Sequence, residues 1–138
     1  MATGFFYQQF YEDVAHGVHN LGSDALTAYL TNTAPSASAD AVYGDLTSPV
    51  STNLSTRVFG TPTTSAQTSG VYTLLLPDLV LTASGAVADF AHAGIYNDDT
   101  SSPLDALVGG WAIGSTITGM VSPNTFTFDF TTYTIRFQ

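Results

Sequence analysis

The 138 residues suffice for one hydrophobic core, and with only 9% of them charged, against roughly 25% in ordinary soluble domains, the surface must be polar through Thr, Ser, Asn and Gly. Lysine is absent, and Arg57 and Arg136 face eleven carboxylates for a net charge of -9, which argues strongly against nucleic acid and against anionic membranes as partners. With no cysteine, disulfides and thiolate metal sites are excluded.

Residues 1–10 have no basic start and no unbroken apolar core, so they do not read as a secretory signal. Phe6, Phe10, Val14 and Val18 recur every four residues and predict one helix over residues 4–18, with Thr3 capping its start and Gly17 and Asn20 suited to its end. Phe5, Phe6, Tyr7, Phe10 and Tyr11 give this helix more aromatic area than one core-facing stripe requires. They are the candidate protein-contact residues, with plain coverage of a sheet as the alternative use.

Alternation then predicts a half-buried strand, with Leu26, Ala28 and Leu30 on one face and Thr27, Tyr29 and Thr31 on the other. Residues 33–40 read as a loop, and 42–46, 54–59 and 72–76 as short strands separated by Ser/Thr/Pro/Gly loops at 47–53 and 61–70. The most apolar stretch, 71–81, is broken by Pro77 and Asp78 and is well short of the roughly 20 residues of a membrane-spanning helix. Residues 79–82 and 86–96 read as a hairpin turning at Ala83, Ser84 and Gly85, followed by a polar loop over 97–103. The remaining strands are expected at 107–113, 116–121, 125–130 and 133–137, with Phe126, Phe128 and Phe130 on one face. Together these elements predict a single mainly β domain, an antiparallel β-sandwich of jelly-roll-like character with one N-terminal helix.

Signals for chemistry are weak. His16 and His19 lie three apart without the intervening Glu of a zincin, and His92 stands alone, so no metal site is expected. Asn97, Asp98 and Asp99 form an acidic cluster without the spacing of a calcium loop. Gly109 and Gly110 are followed by Trp111, with no third glycine for a dinucleotide fingerprint, and no Ser occupies a nucleophile elbow. The chain is therefore not expected to be an enzyme or to carry a cofactor. Trp111, with Tyr72 and Tyr96, is either a core anchor or an aromatic platform for a sugar.

Two stretches carry a resemblance. The first runs from Phe10, Tyr11, Glu12, Asp13 and Val14 through His16, Gly17, His19, Asn20 and Leu21 to Ser23, Asp24, Ala25, Leu26, Tyr29, Leu30 and Pro35. The second comprises Ile95 to Thr100, Pro103 and Leu104, Leu107 to Trp111, and Phe126 to Phe130. Both are similar to the opening and the ending of small virion proteins of tailed bacteriophages, in which a short aromatic helix ends in a Gly-x-His-Asn/Asp turn and feeds a strand. Residues 40–70 depart from that pattern, with Thr61, Pro62, Thr63 and Thr64 standing where such proteins carry a Gly-Gly turn. The resemblance implies a decoration or cement protein on the capsid surface of the virion, made in the host cytoplasm and bound to the major capsid protein as a symmetric homo-oligomer. A tail or head fibre component that touches a receptor, and a carbohydrate-binding module, are the alternatives.

Overall fold

In the computed structural model, which describes residues 4–131 and 135–137, the order is β1 (Gly4–Phe6), α1 (Gln8–Ala15), β2 (Leu26–Thr31), a 3-10 turn (Tyr43–Asp45), β3 (Thr64–Thr68), β4 (Val71–Leu75), β5 (Leu79–Thr82), β6 (Phe90–Ser101), β7 (Leu104–Ile117), β8 (Thr125–Phe128) and β9 (Ile135–Phe137). The strands pair antiparallel in sheets ordered β1-β7-β6-β2, β3-β4-β9 and β5-β8. This is the mainly β, sandwich-like architecture with one N-terminal helix that the sequence predicts. One apolar cluster joins its parts, from Phe10 and Leu30 through Leu74 and Leu81 to Phe90, Val108, Phe128 and Ile135.

The centre of the fold is a row of residues directly opposite one another on four strands: Phe5 on β1, Gly110 on β7, Gly94 on β6 and Tyr29 on β2. Paired residues share a face of the sheet. With no Cβ on either glycine, the Tyr29 ring lies down across them, and a Cβ built on Gly94 or Gly110 would overlap it. Its hydroxyl meets that of Tyr7 at 2.7 Å, and both side chains are fully enclosed. Burial pushes both phenols well above the ordinary tyrosine range. Gly94 and Gly110 thus form a packing slot across two neighbouring strands.

Residues 4–11 correct the predicted helix. Gly4–Phe6 form β1 against Gly109, Gly110 and Trp111, and the helix starts only at Gln8. The four-residue spacing of Phe6 and Phe10 survives as a stacked ring pair, 5.3 Å apart, reached from a strand and a helix instead of one helix. The proposed cap, Thr3, lies outside the described residues. The helix ends early at Ala15, where Gly17 takes φ +72° and the Val18 and Gly17 amides donate to the carbonyls of Asp13 and Val14. That paired arrangement is a glycine-terminated helix end, as Gly17 suggests.

Other boundaries shift for identifiable reasons. β2 is buried on both faces, because Tyr7 covers Tyr29 and the Thr31 hydroxyl reaches the Thr47 carbonyl. Residues 42–46 make a turn instead of a strand, since the Asp45 carboxylate accepts the amides of Ala41 and Val42. Residues 54–59 run along the outer edge of β2 through isolated contacts, including Ala28 N–H to the Arg57 carbonyl and Phe59 N–H to the Leu26 carbonyl, and so cover an edge without forming a ladder. The polar segment 61–70, read as a loop, contains β3. The expected hairpin of residues 79–96 does not form, because β5 pairs with β8. Residues 97–103, also read as a loop, extend β6 to Ser101, where the Thr100 hydroxyl donates to the Asn97 carbonyl and accepts the Ala106 amide across a bulge. The strands predicted at 107–113 and 116–121 are replaced by β7, which ends at Ile117. Of the strand predicted at 133–137, residues 133 and 134 lie outside the described residues and 135–137 form β9.

Candidate functional site

The helix α1 divides its side chains sharply. Phe10 and Asp13 are buried, while Tyr11 and Val14, one residue further on, are 57% and 42% exposed. Phe10 stacks on Phe137 of β9, which also stacks on Phe6 and on Tyr72 of β4, at centroid distances of 5.6 to 5.8 Å. Tyr11 meets Phe6 edge-on at 6.0 Å and ends this ladder at the surface. Beside it a groove of about 320 Å³ is lined by Val14, His19, Leu21, Tyr72 and Phe137.

Of the five candidate contact residues, Tyr7 and Phe10 are core residues with no exposed surface, Phe5 and Phe6 are partly buried, and Tyr11 is the one mainly exposed. Two rings fill the core, and the rest lie at or near the surface. Val14 was not singled out, though its place one turn beyond Phe10 and Tyr11 carried the signal.

Beneath the groove sits a polar knot. Asn97 of β6 is fully buried; its Nδ2 donates to Asp24 Oδ2 at 2.6 Å and to His19 Nδ1 at 3.1 Å, and its Oδ1 accepts the Asp99 amide at 3.1 Å. Asp24 Oδ2 also accepts the Asn20 amide, and Asp99 Oδ2 accepts the Ala25 amide, both at 2.7 Å. Because a carboxylate only accepts and the Asp99 amide only donates, the orientation of Asn97 is fixed, and His19 Nδ1 must present its lone pair. The His19 proton is then on Nε2, which faces Asp13 Oδ2 at 4.0 Å; neither of these buried atoms has a hydrogen-bond partner. Burial lowers the His19 pKa from its ordinary value, opposed by the carboxylates of Asp13 and Asp24.

His16, by contrast, points outward 3.8 Å from Glu12, so the two histidines do not share a site. Among the described residues no three His, Asp or Glu side chains are placed to hold a metal ion. The acidic cluster is dispersed: Asn97 and Asp99 serve the knot, and Asp98 lies against Asp105, whose carboxyl is raised first by burial and then by that neighbour. Of the two arginines, Arg57 donates to the Ala28 carbonyl and lies over the Tyr43 ring, 5.7 Å away.

The three candidate platform aromatics are not brought together. Tyr96 is buried against Tyr43, Tyr72 stacks on Phe137, and Trp111 packs edge-on to Phe128 and Phe130. Trp111 is neither fully core nor fully free: it is half-buried on the wall of a groove of about 250 Å³ shared with Phe126, Thr127 and Asp129. No helix among the described residues is long and apolar enough to cross a membrane. No protein-family model, curated protein or solved structure matches the chain.

Proposed function

We propose that the chain is a structural protein of a tailed-phage virion, a decoration or cement protein that binds the major capsid protein lattice as a homo-oligomer. The observation that supports this reading most is where the two virion-like stretches meet. Asp24 and Asn97, and Ala25 and Asp99, lie more than seventy positions apart in sequence and are joined by hydrogen bonds of 2.6 and 2.7 Å. The likeness at the two ends of the chain therefore belongs to one packed unit, in which a helix, a His-Asn turn and the β2–β6–β7 sheet are held together.

The surface that unit offers a partner is centred on Tyr11 and Val14, next to an aromatic groove. Exposed aromatic residues over a well-packed base are the kind of anchor that carries binding energy at protein interfaces. The chain's net charge of -9 further favours a capsid face that is neutral or basic.

Co-sedimentation with undecorated heads tests the proposal. The chain should pellet with the heads, and Tyr11→Ser with Val14→Ser, both on exposed positions, should abolish pelleting while leaving the fold intact. A chain that stays in the supernatant would remove the capsid reading. The carbohydrate-binding alternative keeps one specific support, the open groove at Trp111 with the Asp129 carboxylate and Thr127 hydroxyl beside it. Quenching of Trp111 fluorescence by glycans would favour it.

A further inference from the structure

The polar knot joins three elements: the C-terminal turn of α1 through Asp13, the segment leading into β2 through His19 and Asp24, and the bulged part of β6 through Asn97 and Asp99. The bond between Asn97 and His19 depends on one proton being absent. We propose that His19 is an acid-released latch, whose bond to Asn97 fastens the turn after α1 to β6 only while its Nδ1 is unprotonated.

The chemistry follows from donor counting. A proton on Nδ1 sets an N–H against the Asn97 NH₂ group, so the bond at 3.1 Å becomes a donor–donor contact. Asn97 cannot adapt by turning its amide over, because that would aim its oxygen at the Asp24 carboxylate and its nitrogen at the Asp99 amide. The imidazole and Asn97 have no water to turn to, since the His19 side chain and Asn97 are both fully buried. Protonation therefore forces His19 or Asn97 out of the knot and loosens the turn that follows α1.

Burial sets the direction against the charged groups around the ring. Asp13 of α1 and Asp24 of the turn both favour the imidazolium, Asp99 of β6 is engaged by the Ala25 amide, and Glu12 is turned outward toward His16. From the other side Tyr72 of β4 and Phe137 of β9 line the adjoining groove, and Phe10 packs its ring 5.0 Å from the imidazole. Burial outweighs the two carboxylates, so the closed knot binds a proton less readily than the open segment, whose imidazole titrates near 6.5. The latch is fully closed above that pH and loses hold as the pH falls through the window beneath it. This device stands on the knot alone and does not depend on what the surface binds.

Two measurements on the full chain decide it. Long-range nitrogen–proton correlation spectra at neutral pH should show His19 protonated on Nε2 with a free lone pair on Nδ1, and the Asn97 side-chain amide should shift with the His19 titration. A proton on Nδ1 at neutral pH, or an Asn97 amide indifferent to that titration, would overturn the latch. In hydrogen exchange, protection factors for residues 18–26 should fall by up to about tenfold per pH unit below about 6.5, and the fall should disappear in His19→Gln but persist in the exposed-site control His16→Gln. If His19→Gln does not fold, the wild-type spectra and exchange profile still decide, and protection that is flat across this window rules the latch out.

Discussion

Alanine in place of Gly94 or Gly110 tests the packing slot at the centre of the sheet. In an unobstructed strand, Gly→Ala stabilises by about 0.5–1 kcal/mol, so a loss at these positions isolates the overlap. A Cβ on Gly94 would meet both the Tyr29 ring and the Gly109 backbone carbonyl, and neither can give way without moving a strand. On Gly110 the first atom met is the Tyr29 hydroxyl oxygen, with the Ala93 carbonyl at 3.0 Å and the ring carbon bearing the hydroxyl at 3.2 Å. Overpacking costs of about 1–3 kcal/mol place Gly94→Ala near the upper end and Gly110→Ala near about 2 kcal/mol. The two differ in their response to Tyr29→Phe, which by itself should cost about 1 kcal/mol through the lost Tyr7 hydrogen bond. Removing the hydroxyl removes the first obstacle to Gly110→Ala but leaves both obstacles to Gly94→Ala. Urea unfolding of the singles and doubles, read as two double-mutant cycles, should therefore give a coupling of about 1 kcal/mol for Gly110 with Tyr29 and a smaller one for Gly94 with Tyr29. Equal couplings, or alanine tolerated at both glycines, would refute the slot.

Three further outcomes follow from polar groups wholly or partly removed from water. Asn97→Ala leaves Asp24, His19 and the Asp99 amide short of a partner and should lower stability by about 3 kcal/mol in thermal or urea unfolding. In an alkaline absorbance titration, Tyr7 and Tyr29 should remain neutral beyond the ordinary tyrosine range; because their folded pKa values lie above the unfolded value of 10.0, the stability they contribute is fully present below that pH and is lost as the pH rises beyond it. Asp105→Asn removes a carboxyl held against Asp98, at a backbone φ of +52° that Asn also adopts. Since the Asp105 folded pKa is raised, its penalty is absent in acid and present when ionised, so the variant should melt higher than wild type at neutral pH and equally at low pH.

The sequence exposed local chemistry better than long-range pairing. The alternation in residues 26–31 located β2 with its boundaries, and Gly17 marked the helix end, because both are set by neighbouring residues. The hairpin expected after Thr82 failed because β5 finds its partner in β8, more than forty residues away, and nothing in the turn at Ala83 to Gly85 discloses that choice. Polar residues misled in a second way. Residues 64–68 and 97–101 look like loop, yet the first is an uncharged edge strand and the second turns its Asn and Thr inward to hold a bulge. The candidate surface was half legible for the same reason: the run of rings was evident, but which of them enters the core depends on Phe137 and Tyr29, distant in sequence from both β1 and α1.

Imaging of undecorated tailed-phage heads, mixed with the purified chain, at subnanometre resolution tests the proposed role most directly. Density repeated at regular lattice positions, with the Tyr11 and Val14 face turned toward the major capsid protein, is the predicted result and would give the oligomer order. Bare lattice sites with the chain left in solution would contradict it.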